Sequence, residues 1–168
     1  MPIKLIGAVL VFFSGLFWGL RKSAELSKRE RSLRDIKTAL NILESEIVFS
    51  SHYLKHAFLR ISELLSCGGL FSDMSSAIGE MPAAEAWRFA LLKNQKELFL
   101  KDTDVEILNI LGSELGMSDR EQQVKNIRHV SSLLEQNLAL AHDDCIKTAK
   151  LYRSMGILGG LFVIIILI

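Results

Sequence analysis

Proline is scarce in this chain. Only Pro2 and Pro82 occur among 168 residues, so nothing in the second half forbids an unbroken helix. Cysteine is equally scarce. Cys67 and Cys145 cannot build a disulfide framework, which removes the small stapled extracellular folds and suits a reducing compartment. Runs of β-branched residues are few, and the middle of the chain has no alternating pattern of the kind a sheet requires. Surplus charge is also missing. A net charge of +1 excludes a dedicated nucleic-acid binder. No P-loop, glycine-rich phosphate loop or nucleophile–base arrangement is present, so no enzyme and no bound small-molecule substrate or cofactor is expected.

Charge of either sign is absent from two stretches, Leu5 to Leu20 and Ser154 to Ile168. Every acidic residue lies between Arg21 and Arg153, with all Lys and Arg except Lys4. The order is therefore apolar, polar, apolar, which predicts a transmembrane helix over 1–20, a helical body over 21–153 and a second transmembrane helix over 154–168. The first run is just long enough for a hydrocarbon core of about 30 Å. A cleaved signal peptide is the alternative; the length of the run and the basic stretch after it argue against that. The second run reaches about 27 Å if it starts at Leu151 and Arg153 snorkels to the headgroups. Basic residues flank the inner ends of both runs: Arg21, Lys22, Lys28, Arg29 and Arg31 after the first, Lys147, Lys150 and Arg153 before the second. The positive-inside rule then places the middle in the cytoplasm and both termini across the membrane, with the flanks on lipid headgroups.

Six helical segments are expected in all. The first continues from the apolar run to about Ser50, with Leu33, Ile36, Leu40, Leu43 and Ile47 as one stripe and Arg21–Arg31 standing in water or against headgroups. The second covers His52–Ser66, ended by the Cys67–Gly69 stretch. The third covers Leu70–Ile78. The fourth follows Pro82 to about Leu100 and buries Trp87, Leu91, Leu92 and Leu98. Asp102 or Thr103 caps the fifth, which buries Ile107, Ile110 and Leu111 and stops at Gly116. The sixth starts at Ser118, where Ser118 and Glu121 match a capping box. It runs on into the second apolar stretch, with Asp119 at its first position near the helix dipole. Arg120 is left over for a partner.

Metal-binding candidates are thin. His52 and His56 share a helix face without a third ligand at a diagnostic spacing, and of the four residues His142–Cys145 only two can share a face. A membrane-tethered metal or ligand sensor built on these histidines is the alternative function. Glu44 and Glu46 point to different faces, poor geometry for paired carboxylates, and one of them is expected to pair with a base on another helix. The residues left as candidate partner contacts are Arg29, Arg31, Glu44, Glu46, Asp119 and Arg120.

Three stretches together carry a family likeness: "KLIGAVLV" at the start, "LRDIKTALNILESEIVFSSHYLKHAF", and "LGSELGMSDREQQVKNIRHVSSLLE", followed by a basic flank and short apolar tail. Essentially the whole chain resembles the stage III sporulation protein AB family of endospore-forming bacteria. Tyr53 stands near the place where that family usually carries a proline. The resemblance implies an all-α, antiparallel six-helix bundle like the cytoplasmic domain of type II secretion inner-membrane platform proteins. It also implies a place in a channel complex at the outer forespore membrane, on the mother-cell side, with other channel subunits and the operon's cytoplasmic ATPase as partners.

Overall fold

A computed structural model describes residues 2–49, 54–115 and 119–167. It is all-helical. The six helices are α1 (Pro2–Phe49), α2 (Leu54–Leu64), α3 (Gly68–Ala77), α4 (Ala83–Asn94), α5 (Asp102–Glu114) and α6 (Arg120–Leu167), and no β-strand occurs among the described residues. The chain divides into two compact units, Lys28–Leu140 and a second made of Met1–Ser27 with Ala141–Ile168.

In the Lys28–Leu140 unit the expected stripe of α1 is the spine. Leu33, Ile36, Leu40 and Leu43 are fully buried, while Ile47 is half-buried. Full burial of each such side chain stabilises the fold by about 1.5–3 kcal/mol. Phe58 of α2, Phe71 of α3 and Trp87 of α4 form an aromatic cluster, with centroids 6.1, 6.2 and 6.4 Å apart. The Trp87 indole donates to the Leu108 carbonyl on α5 at 2.8 Å, so its one polar atom is satisfied. A Cβ at Gly112 would lie 2.2 Å from the Trp87 ring. Glycine there is a packing requirement between α4 and α5. α1 and α6 run antiparallel: Lys37 meets Glu135, Glu44 meets Arg128, and Val48 meets Arg120.

Several boundaries differ from expectation for identifiable reasons. Gly68 begins α3 as well as following α2. A Cβ there would fall 2.2 Å from the Ser62 carbonyl, so close approach and not a left-handed backbone dictates the glycine. Regular α4 ends at Asn94, but helical turns continue. Leu98 N–H bonds to Asn94, Leu100 N–H bonds back to Gln95, and Phe99 N–H bonds to Lys96. That is a Schellman closure with Phe99 at φ 55°, where glycine is usual. The Lys28 ammonium sits 5.2 Å over the Phe99 ring.

Lys101, and neither Asp102 nor Thr103, is the N-cap of α5. Asp119 caps α6, since its carboxylate accepts the Gln122 N–H at 2.8 Å. It therefore precedes the helix instead of occupying its first position. Ser118 and Gly116 lie outside the described residues. Leu92 and Ile110 are exposed, contrary to the expected burial; Leu91, Leu108 and Leu111 are the residues that face the core.

In the other unit, the start of α1 and the end of α6 also pair antiparallel. Gly19 packs against Tyr152, where a Cβ would come within 2.6 Å of the ring, and Ser27 lies 3.2 Å from Cys145. Among the described residues no helix is long and apolar enough to cross a membrane. The expected spans fall largely on side chains outside the described residues.

Candidate docking corner and a buried charge node

The C-terminal end of α1 and the N-terminal end of α6 bring four of the six expected contact residues together. Glu44 and Glu46 do leave α1 on different faces, and both find a base. Glu44 accepts from Arg128 of α6 at 2.8 Å, and Glu46 accepts from Arg60 of α2 at 2.6 Å. Beside Glu46 and Arg60 an open groove of about 430 Å³ runs between α1 and α2, lined also by Asn41, Ile42, Ser45 and Leu64. Asp119 holds the first turn of α6. Arg120 is exposed and reaches across to the Val48 carbonyl at 3.4 Å. That carbonyl belongs to the last turn of α1, where helix carbonyls lack helical partners and a cation is favoured. Arg120 is thus not left over, although the bond is long and its side chain is open to solvent.

Arg29 and Arg31 are not part of this corner. Fifteen residues of helix separate Arg29 from Glu44, about 23 Å along α1. Arg31 is exposed. Arg29 is 5% exposed and so does not stand in water, contrary to the reading of its charged surroundings. It donates two bonds to Asp104, Nε to Oδ2 at 2.8 Å and Nη2 to Oδ1 at 2.9 Å. Asp104 is 0% exposed. It accepts two further bonds, from Asn137 of α6 at 2.7 Å and from the Lys101 N–H at 2.9 Å. A buried ion pair offsets its desolvation only when its remaining hydrogen-bonding capacity is met. Here one carboxylate takes four donors and ties α1, α5 and α6 to one another. Asp104 has a sufficient local role as a first-turn acid, so no sequence signal singles out this node or Asn137.

Two other groups have perturbed acidities. Burial, reinforced by the nearby Asp35 carboxylate, pushes the Cys67 thiol up to about 12, so it stays neutral and unreactive. Burial also acts to raise the Asp73 carboxyl, but hydrogen bonds from Lys93 and Asn94 and the Lys93 charge outweigh it and hold the group below its ordinary value. Both are features of packing. Among the described residues no group of three or more His, Cys, Asp or Glu could hold a metal ion. His52 lies outside the described residues, and His56 is exposed. The corner offers surface chemistry: paired charges, one bridging arginine and an open groove.

Comparison with known proteins agrees with the likeness read from the sequence. The family model described as stage III sporulation protein AB matches residues 4–168. Stage III sporulation protein AB of Bacillus subtilis (strain 168) is 32% identical over 169 residues, covering 98% of this chain and 99% of that protein. A solved structure of a stage III sporulation protein AB superposes with a TM-score of 0.66 at 33% identity, covering 70% of this chain and 96% of the solved one. These relatives are named for a stage of sporulation and not for a reaction.

Proposed function

Because the chain belongs to the stage III sporulation protein AB family, we propose that it is a non-enzymatic membrane platform in a sporulation complex between mother cell and forespore. In this reading residues 1–20 and 154–168 are transmembrane helices, and 21–153 is a cytoplasmic helical body on the mother-cell side of the outer forespore membrane. The body docks the operon's cytoplasmic ATPase and other channel subunits. One observation carries the reading. The two uncharged runs stand at opposite ends of the sequence, yet they belong to α1 and α6, two long helices that pair antiparallel at Gly19–Tyr152 and Ser27–Cys145. Such a pair lays the two runs beside one another, as a membrane hairpin requires.

The docking corner is the end of α1 and the start of α6, with Glu44, Glu46, Asp119, Arg120 and the α1–α2 groove. Arg31 and the other exposed bases of the flank serve lipid headgroups. Arg29 holds the body together and makes no partner contact. Carbonate extraction of membranes, with reporters fused mid-chain, tests the placement: release of the chain or an external reporter refutes it. Binding of the purified ATPase to Arg120→Glu tests the corner. Undiminished binding by a folded variant removes Arg120 from it.

A further inference from the structure

α4 presents two faces. Ala86, Trp87, Ala90 and Leu91 are buried in the core. On the opposite side Phe89 is 51% exposed and Leu92 is 60% exposed, two large apolar side chains one turn apart. Glu85 stands one turn before them and Lys96 one turn after, both exposed and without an ion pair among the described residues. The helical turn that bonds Leu98 N–H to Asn94 carries the phase of α4 through Lys96. Glu85, Phe89, Leu92 and Lys96 are thus spaced four, three and four residues apart, the seam spacing of a coiled coil.

This stripe is a palindrome in chemistry: acid, apolar, apolar, base, symmetric about the bond between Ala90 and Leu91. We propose that α4 binds α4 of a second copy of this chain, antiparallel, about a two-fold axis at that point. Phe89 then packs on Leu92 of the second copy, and Glu85 meets Lys96 of the second copy at both ends. A two-fold contact demands self-complementarity of this kind. Arg88 comes opposite Lys93 of the second copy, whose charge Asp73 neutralises at 2.7 Å. An anionic lipid surface would match Lys96 and the neighbouring Arg88 but not Glu85 at the other end of the stripe, and an acidic protein helix would likewise leave Glu85 unmatched. A second copy satisfies both ends with its own residues. Two apolar side chains from each copy bury far less than the roughly 1,200–2,000 Å² of a stable complex, so the contact is weak and works between copies concentrated in one assembly.

Register-specific crosslinking of the full chain tests this, with Cys145→Ser throughout and the buried Cys67 left in place. Glu85→Cys and Lys96→Cys chains are oxidised separately and as an equal mixture. Antiparallel pairing puts the two positions together across the axis but separates each from its own copy by about 16 Å, too far for a disulfide. The expected result is a mixed dimer several-fold more abundant than either homodimer. In a mixture of Phe89→Cys and Leu92→Cys chains, which keeps one Leu92–Phe89 contact, Glu85→Lys in both chains abolishes the mixed crosslink, and adding Lys96→Glu to both restores it. All four positions are exposed, so folding is preserved and circular dichroism verifies it. Homodimers as abundant as the mixed dimer, or no restoration by the charge swap, overturn the proposal. Binding of the chain to phosphatidylglycerol vesicles that is lost in Leu92→Ser, without any mixed dimer, overturns it in favour of a lipid surface.

Discussion

Removal of the Asp104 carboxylate tests the account of the buried node most directly. Asp104→Ala leaves the Arg29 guanidinium 5% exposed with no counter-ion, and it orphans two of that group's donors and the Lys101 N–H. Stranding one partner of a buried ion pair costs about 3–5 kcal/mol. Loss of the bond that the Asp104 carboxylate accepts from the Lys101 N–H at the start of α5 adds about 1 kcal/mol. Asn137 is only half-buried, so water satisfies it at little cost. A total of about 4–6 kcal/mol approaches the whole stability of a typical domain. The midpoint of thermal unfolding, followed by circular dichroism on the full chain in detergent, should fall by 10 °C or more, on the order expected from the size of the domain.

Charge stranding and cavity formation are separable. In the double variant Arg29→Met/Asp104→Leu no charge remains to be stranded, and most of the loss should return, because apolar replacement of a buried pair is often neutral. The double-mutant cycle closed with the single variants Arg29→Met and Asp104→Leu should therefore report a coupling of roughly 3 kcal/mol or more between two residues far apart in sequence. If Asp104→Ala costs less than about 1 kcal/mol, or the cycle closes without coupling, Arg29 is solvated and the node does not hold the helices.

Gly112→Ala gains up to about 1 kcal/mol of helix propensity but drives a methyl into the Trp87 ring, costing about 1–3 kcal/mol. The ring is pinned by its bond to Leu108 and by two phenylalanines, so a net loss of stability in urea titration is expected. Arg128→Ala should cost under about 1 kcal/mol, because the arginine of its ion pair with Glu44 is mostly exposed; any large loss of ATPase binding by that variant then reads docking and not unfolding. The Cys67 thiol ionises near 9 when unfolded and near 12 when folded, so the unfolded chain releases its proton first and stability falls as pH rises through that window. By about pH 10 this amounts to roughly 1.4 kcal/mol, a slope that Cys67→Ala should remove from paired urea titrations. Asp73 behaves oppositely. Its lowered pKa stabilises the fold above the ordinary carboxylate value, and that contribution disappears as pH falls through the folded value. Lys93→Met should raise the Asp73 titration midpoint, read by NMR.

How much of this was legible in the sequence depended on whether a residue's role was local. The α1 stripe and the existence of six helices follow from periodicity and turn residues within a few positions of one another. Asp119 shows the limit of such signals. Ser118 and Asp119 are adjacent cap-forming residues, the capping-box pattern favours the first, and the side-chain geometry selects the second. The charge node lay beyond local reading altogether. Arg29, Asp104 and Asn137 come from three helices, and each has an adequate explanation in its own neighbourhood, as basic flank, first-turn acid and polar surface. Only packing shows that the three meet.

Helix α4 departs from its sequence pattern for a different reason, and the departure carries information. Leu91 and Leu92 are adjacent apolar residues, as are Ile110 and Leu111 on α5. Periodicity detects a stripe through such a pair without choosing its phase, so it assigns all four residues to the core. The structure buries Leu91 and Leu111 and leaves Leu92 and Ile110 in solvent. A helix whose apolar residues cover two faces reads as deeply buried when only one face is. On α4 the excess is not scattered, for Phe89 joins Leu92 on the same exposed stripe and charges of opposite sign close its ends. An isolated surface leucine needs no explanation, whereas an apolar pair set at seam spacing between an acid and a base does. The residue that defeated the one-core reading is therefore the residue that marks a second packing surface, and the same geometry that exposes Leu92 supplies its partner.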